Sequence, residues 1–88
     1  MCVDNKCRKY VTETKIYSTS GQTDSQCNSI LFINTGSNNV TIDGLTLQPN
    51  QSWSIEGNKE EINIHTYPFS FSSATGSNLT IIFKRYVG

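Results

Sequence analysis

The stretch VTIDGLTLQPNQSWSI, residues 40–55, decides the class of fold. Its apolar side chains fall at Val40 and Ile42, at Leu45 and Leu47, and, after a Pro-Asn break, at Trp53 and Ile55. That is the period of two of half-buried strands, interrupted by turn residues at Asp43-Gly44 and Pro49-Asn50. The segment therefore predicts short antiparallel strands. Asp43-Gly44 fits either a type I′ hairpin turn or a bulge in a continuing strand, and the short flanking strands favour the bulge slightly. Residues 47–51 read as a turn with Pro at its second position, and residues 52–56 as the returning strand, which carries the single tryptophan. Gly57-Asn58 turns the chain again.

Upstream, residues 1–8 are polar and charged without periodicity and read as an N-terminal arm. Residues 9–18 (KYVTETKIYS) are rich in residues that suit a pleated surface. Neither of their faces is wholly apolar, which predicts an edge strand or one that packs on a neighbouring chain. Residues 19–26 (TSGQTDSQ) read as a polar loop. Residues 27–34 (CNSILFIN) hold the densest apolar run, and a run without alternation predicts a central strand covered on both faces. Residues 35–39 (TGSNN) form a turn by composition.

Downstream, residues 60–71 (EEINIHTYPFSF) read as one long strand whose apolar phase changes. Ile62, Ile64 and Thr66 share one face, and Tyr67, Phe69 and Phe71 the other. Such a slip needs a bulge near Pro68, which cannot donate a ladder hydrogen bond and so predicts a partial edge. Residues 72–78 are a polar loop, and residues 79–87 close the chain with Leu79, Ile81 and Phe83 on one face and Ile82 and Tyr86 on the other. No stretch has helical period with caps. Six to eight short strands between turn signals predict an all-β fold: a small antiparallel β-sandwich, jelly-roll-like, over residues 9–88, preceded by the extended arm of residues 1–8.

The chain has 88 residues, so it forms one small domain and buries only about two thirds of the surface of its unfolded state. Its hydrophobic share of 35% lies under the roughly 45–50% usual for globular chains. A chain of this kind gains burial from a partner or from copies of itself. Seven basic and seven acidic residues give a formal charge of zero. The only basic clusters, residues 6–9 and Lys84-Arg85, are too small for a nucleic-acid interface, whose affinity comes from neutralising phosphates. Met1 is followed at once by Cys2, Asp4 and Lys6, so neither a secretory leader nor a membrane span is expected. Cys2, Cys7 and Cys27 are odd in number and read as reduced thiols.

No catalytic or cofactor motif is present. His65 is the sole histidine; a Ser-His-Asp arrangement would need it, with Asp43 or Glu56 as orienter, yet no nucleophile signature accompanies it. Cys2, Cys7, Cys27 and His65 have the composition of a zinc site but lack the close spacing that fixes tetrahedral thiolates. Glu56, Glu60 and Glu61 read as rim charges, with Glu61 available to pin a loop. Asn39, Asn50 and Asn78 begin N-glycosylation patterns at a rate expected by chance in a chain so rich in Asn, Ser and Thr. Trp53, Phe69, Phe71 and Phe83 are expected in the core. Lys9, Tyr10, Tyr17, Tyr67 and Tyr86 are the candidate partner-binding residues, because tyrosine tolerates partial burial at interfaces and on sugar-stacking platforms.

In order, residues 33–86 contain INTG, VTIDGLTL-x-PN-x-SW, GN-x-x-E, TYPFSF and LTIIFKRY. This succession resembles the small β-domains of tailed-bacteriophage structural proteins, of the capsid auxiliary (decoration) or fibre-attachment type. The resemblance implies a non-enzymatic virion protein made in a host cytoplasm. Its expected partners are capsid or fibre proteins or further copies of the chain, with no cofactor, metal, nucleic acid, membrane or small-molecule ligand. The alternative is a carbohydrate- or receptor-binding module that presents the loops at residues 19–26, 35–39 and 72–78.

Overall fold

The computed structural model describes residues 9–87. The expected arm, with Cys2 and Cys7, lies outside them. Eight strands follow one another: β1 (Lys9–Tyr17), β2 (Gly21–Asp24), β3 (Ser29–Asn34), β4 (Val40–Ile42), β5 (Leu45–Leu47), β6 (Ser52–Ile55), β7 (Thr66–Phe71) and β8 (Leu79–Val87). They form two four-stranded antiparallel sheets, A in the order β1-β8-β3-β6 and B in the order β2-β7-β4-β5. The pairs β1·β8, β2·β7, β3·β6 and β4·β5 nest as rungs of a single long hairpin. Contacts β3·β8 and β4·β7 join neighbouring rungs, so the hairpin is rolled into the two layers of a jelly roll. The predicted β-sandwich is the fold.

At the hairpin tip, Asp43 (φ 48°) and Gly44 (φ 91°) both lie in the left-handed region, which makes a type I′ turn and not the favoured bulge. Three-residue strands suffice because β4 also bonds to β7, so the hairpin is part of a sheet and does not stand alone. The turn at Gln48-Pro49-Asn50-Gln51 is closed by Gln51 N–H donating to the Gln48 carbonyl at 3.0 Å, with Asn50 at φ 70°. Pro in its second position and a left-handed residue in its third suit a type II turn.

The core lies between the sheets. Ile30, Phe32, Leu79, Ile81 and Phe83 come from sheet A, and Val40, Ile42, Leu47, Tyr67 and Phe69 from sheet B, with Cys27 beside them. Phe32 stacks on the partly buried Trp53, ring centroids 5.3 Å apart.

Four expectations change. Gly21–Asp24, inside the expected polar loop, is a strand: it pairs with β7 and buries Thr23. Strand β3 is interior to its sheet, but its burial alternates, so Leu31 and Ile33 are covered only in part. The long strand of residues 60–71 is shorter, since only Thr66–Phe71 is regular and Asn63 makes an isolated bridge to Cys27. Glu60 and Glu61 therefore sit in a turn and not on opposite faces of a strand, and Ile62 and Ile64 are exposed. Pro68 lies in an interior strand, between β2 and β4. Its carbonyl accepts from Asp43 N–H at 2.8 Å, where β4 has already turned. Main-chain N and C=O of one strand residue point to the same side, so the missing N–H falls where no ladder acceptor is waiting.

Candidate functional site

The two outer faces of the sandwich differ. On sheet B the outward residues are Gln22, Asp24, Thr41, Thr46, Thr66, Pro68 and Ser70, almost all polar and most of them exposed. On sheet A the register brings Leu31 opposite Ile82, which also faces Thr14, and Ile33 opposite Thr80, which also faces Ile16. Alternation along β1 and β8 adds Tyr10 and Tyr86. The outward row of β8 and β3 is half-covered although none of the described residues forms a second layer over it, because long side chains lean on one another.

Tyr10 and Tyr86 stand opposite each other at the end of this face, edge to face, with centroids 6.1 Å apart. Lys84 lies across both: its ammonium is 4.4 Å from the Tyr10 ring centre and 5.0 Å from that of Tyr86. A cation over aromatic faces is attracted by their quadrupoles, so the three side chains hold one another in place. Two adjoining depressions share Tyr10 and Lys84. One, of about 370 Å³, runs past Tyr86 to Asn58 and Lys59; the other, of about 420 Å³, runs over Leu31 and Ile82 to Ser54 and Glu56.

The wall carrying Asn58 and Lys59 is fixed by buried polar groups. Asn28 donates through Nδ2 to the carbonyls of Asn58 (3.0 Å) and Glu61 (2.7 Å), and its Oδ1 accepts from Tyr86 N–H at 2.8 Å. Glu61 does pin the loop, its carboxylate accepting from Asn58 N–H at 3.0 Å. Gly57 packs so closely on the Asn28 carbonyl that a Cβ has no room.

The candidate partner-binding residues separate. Tyr10 and Tyr86 meet on the outer face of sheet A; Lys9 is exposed, but alternation along β1 sets it on the opposite face from Tyr10. Tyr17 faces the interlayer space against Phe69, at 4.8 Å between centroids. Tyr67 is only 4% exposed and belongs to the core, where its hydroxyl accepts from Asn63 Nδ2 at 2.7 Å. The period of residues 79–87 already places Ile82 on the face of Tyr86, whereas Lys84 and Leu31 were not read as parts of that surface. Their alternation in the CNSILFIN and LTIIFKRY runs was the available signal.

On the inward side of β1, Arg85 donates from Nη1 to Glu13 Oε1 at 2.8 Å and from Nε to the Gln26 carbonyl at 2.7 Å. The hydrogen bond from Arg85 holds the Glu13 carboxyl below its ordinary value. Burial pushes the Cys27 thiol up.

His65 does find Asp43, with Nε2 to Oδ2 at 2.9 Å, near the hairpin tip. The Ser25 hydroxyl joins the same segment, but it bonds the main-chain N–H and C=O of His65 and not the ring. Two members of a triad are thus together without the third. Among the described residues no group of three or more His, Cys, Asp or Glu is placed to hold a metal ion. Nor, among the described residues, is any helix long and apolar enough to cross a membrane. No protein-family model matches the sequence, and no curated protein is significantly similar to it.

Proposed function

We propose that this chain is a non-enzymatic docking module that takes its place in a larger protein assembly, and that the outer face of sheet A is the surface it docks with. A virion shell or fibre, the setting implied by the bacteriophage resemblance, is the assembly proposed. The observation that carries the reading is the contrast between the two faces. Sheet B presents hydroxyls and amides to water, whereas sheet A presents Ile16, Leu31, Ile33, Ile82 and two tyrosines with few charges among them. Aliphatic and tyrosine side chains with a depleted charge count are the composition of a protein-contact patch. Many weak contacts of this size, repeated over a lattice, hold firmly through their number.

The test is binding of the purified chain to isolated virion shells or fibres. Ile82→Asp, which places a charge at the centre of the face, abolishes binding, while Ser70→Asp on sheet B leaves it unchanged. Binding that survives the first substitution and is lost with the second refutes the assignment of the face.

The second reading is a glycan-binding module, favoured by Tyr10 and Tyr86 beside the polar wall of Asn58, Lys59 and Lys84. It predicts retained sugar binding by the isolated chain and its loss with Tyr10→Ala. The aliphatic row along Leu31 and Ile82 favours the protein partner, since sugars take aromatic platforms and hydrogen-bonding groups.

A further inference from the structure

Strand β1 is the edge of sheet A and, at nine residues, one of the two longest strands; on one side its main chain has no partner strand among the described residues. Which residues face that open side follows from β8. The Tyr86 N–H donates to Asn28 Oδ1 at 2.8 Å, and the Lys84 carbonyl accepts from Asn28 N–H at 2.8 Å. The even-numbered residues of β8 therefore turn their main-chain groups away from β1. In an antiparallel ladder both members of such a pair do so. Their register partners Tyr10 and Thr12, and by alternation Thr14 and Ile16, hence point N–H and C=O toward the open edge.

We propose that two copies of this chain associate through their β1 strands, antiparallel about a two-fold axis at Thr14, joining sheet A of each into one eight-stranded sheet. The register follows from the charges. Keeping like faces together requires the paired residue numbers to sum to an even value. With the axis at Thr14, Thr14 faces its own copy and Thr12 faces Ile16, all with outward-pointing main-chain groups that can exchange hydrogen bonds. Glu13 then faces Lys15 of the second copy, twice by symmetry, in the narrow pairs where side chains come closest. Moving the axis to Glu13 or to Lys15 sets like charges against each other, and moving it to Thr12 sets Lys9 against Lys15. Charged residues on an edge deter arbitrary pairing. Here they exclude the axes at Thr12, Glu13 and Lys15, and an axis at Ile16 forfeits both Glu13–Lys15 pairs, so one register is favoured. Arg85 engages Glu13 through Oε1, which leaves the other carboxylate oxygen for the lysine. This inference does not depend on what docks on the outer face.

One strand pair buries less than a standard interface, so the dimer is weak alone, with dissociation at roughly micromolar concentration. Sedimentation equilibrium over a concentration series, in reducing buffer so that thiols do not cross-link copies, then shows the mass rising from one chain to two. Lys15→Glu and Glu13→Lys each place like charges in both narrow pairs and weaken the dimer by roughly tenfold or more. An equimolar mixture of the two variants restores opposite charges and recovers dimer. Thr14→Pro removes an outward N–H that β8 does not use and leaves a folded monomer, checked by Trp53 fluorescence. A chain that stays monomeric up to about millimolar concentration, a dimer indifferent to these substitutions, or a mixture that fails to recover it overturns the proposal.

Discussion

Removing the amide of Asn34 should unfasten the two layers at one end of the sandwich. This residue is fully buried at the end of β3, and its Nδ2 donates to the Asn38 carbonyl at 2.8 Å and across to the Leu47 carbonyl of β5 at 2.9 Å. Its Oδ1 accepts from Gly36 N–H at 3.1 Å. Asn34→Ala takes the amide donor from the Leu47 carbonyl, which keeps its ladder partner Val40, and forfeits three hydrogen bonds in all at about 0.5–1.5 kcal/mol each. The sum centres on about 3 kcal/mol, against a total of roughly 4–13 kcal/mol for a chain of this length. Urea unfolding followed by the fluorescence of Trp53, the sole tryptophan, measures the loss, and Tm should fall by at least about 12 °C. Asn34→Asp separates hydrogen bonding from cavity formation, because it keeps the shape and the acceptor but loses both donors. At pH 7 it should be at least as damaging as alanine. It should recover in part under acid, where the protonated carboxyl regains one donor. A loss under about 1 kcal/mol for alanine, or an aspartate variant of wild-type stability at pH 7, would refute the role given to this amide.

Gly57→Ala forces a Cβ onto the Asn28 carbonyl, and it should lower stability by about 1–3 kcal/mol and shift the amide resonances of Asn58 and Lys59. Glu13 is held below its ordinary value of 4.5, so its contribution is complete above that pH and fades as pH falls through the lower folded value. The stability curves of wild type and Glu13→Gln should accordingly converge in acid; a gap that persists at low pH contradicts the Arg85 pairing. Cys27 has the opposite sign: its folded thiol titrates above the ordinary 9.0, so stability falls as pH rises past that value, and Cys27→Ala should lack this alkaline loss. Iodoacetamide at pH 8 should label Cys27 only after unfolding, as read by peptide mapping.

The strands that alternate openly, residues 40–55 and 79–87, could be located from side-chain period alone. Gly21–Asp24 could not, since only Thr23 of its four residues is buried and its backbone bonds to β7 hold it in place. At the hairpin tip strand length alone points to a bulge, and the type I′ turn is held by the bonding of β4 to β7, a pairing remote in sequence. The same limit applied to the site. Tyr10 and Tyr86 were visible as tyrosines, but nothing local distinguishes them from Tyr67, which a single step in strand phase carries into the core. For His65 the sequence leaves Asp43 and Glu56 as alternative partners, and only the fold, which brings the hairpin tip beside β7, selects Asp43.

The nesting of the rungs imposes an order on assembly. The innermost pair, β4 with β5, closes a two-residue turn, whereas the outermost sets Lys9 beside Val87, from opposite ends of the described chain. Loop-closure entropy makes the outermost contact unfavourable until the inner ones have drawn its strands together. Ordering should therefore spread from Asp43-Gly44 outward like a zip, with β1 the last strand to settle and the first to peel away. Native-state hydrogen exchange would register this as early opening at Val11, Glu13 and Lys15, the amides that bond β8, in the segment that a second copy would clasp.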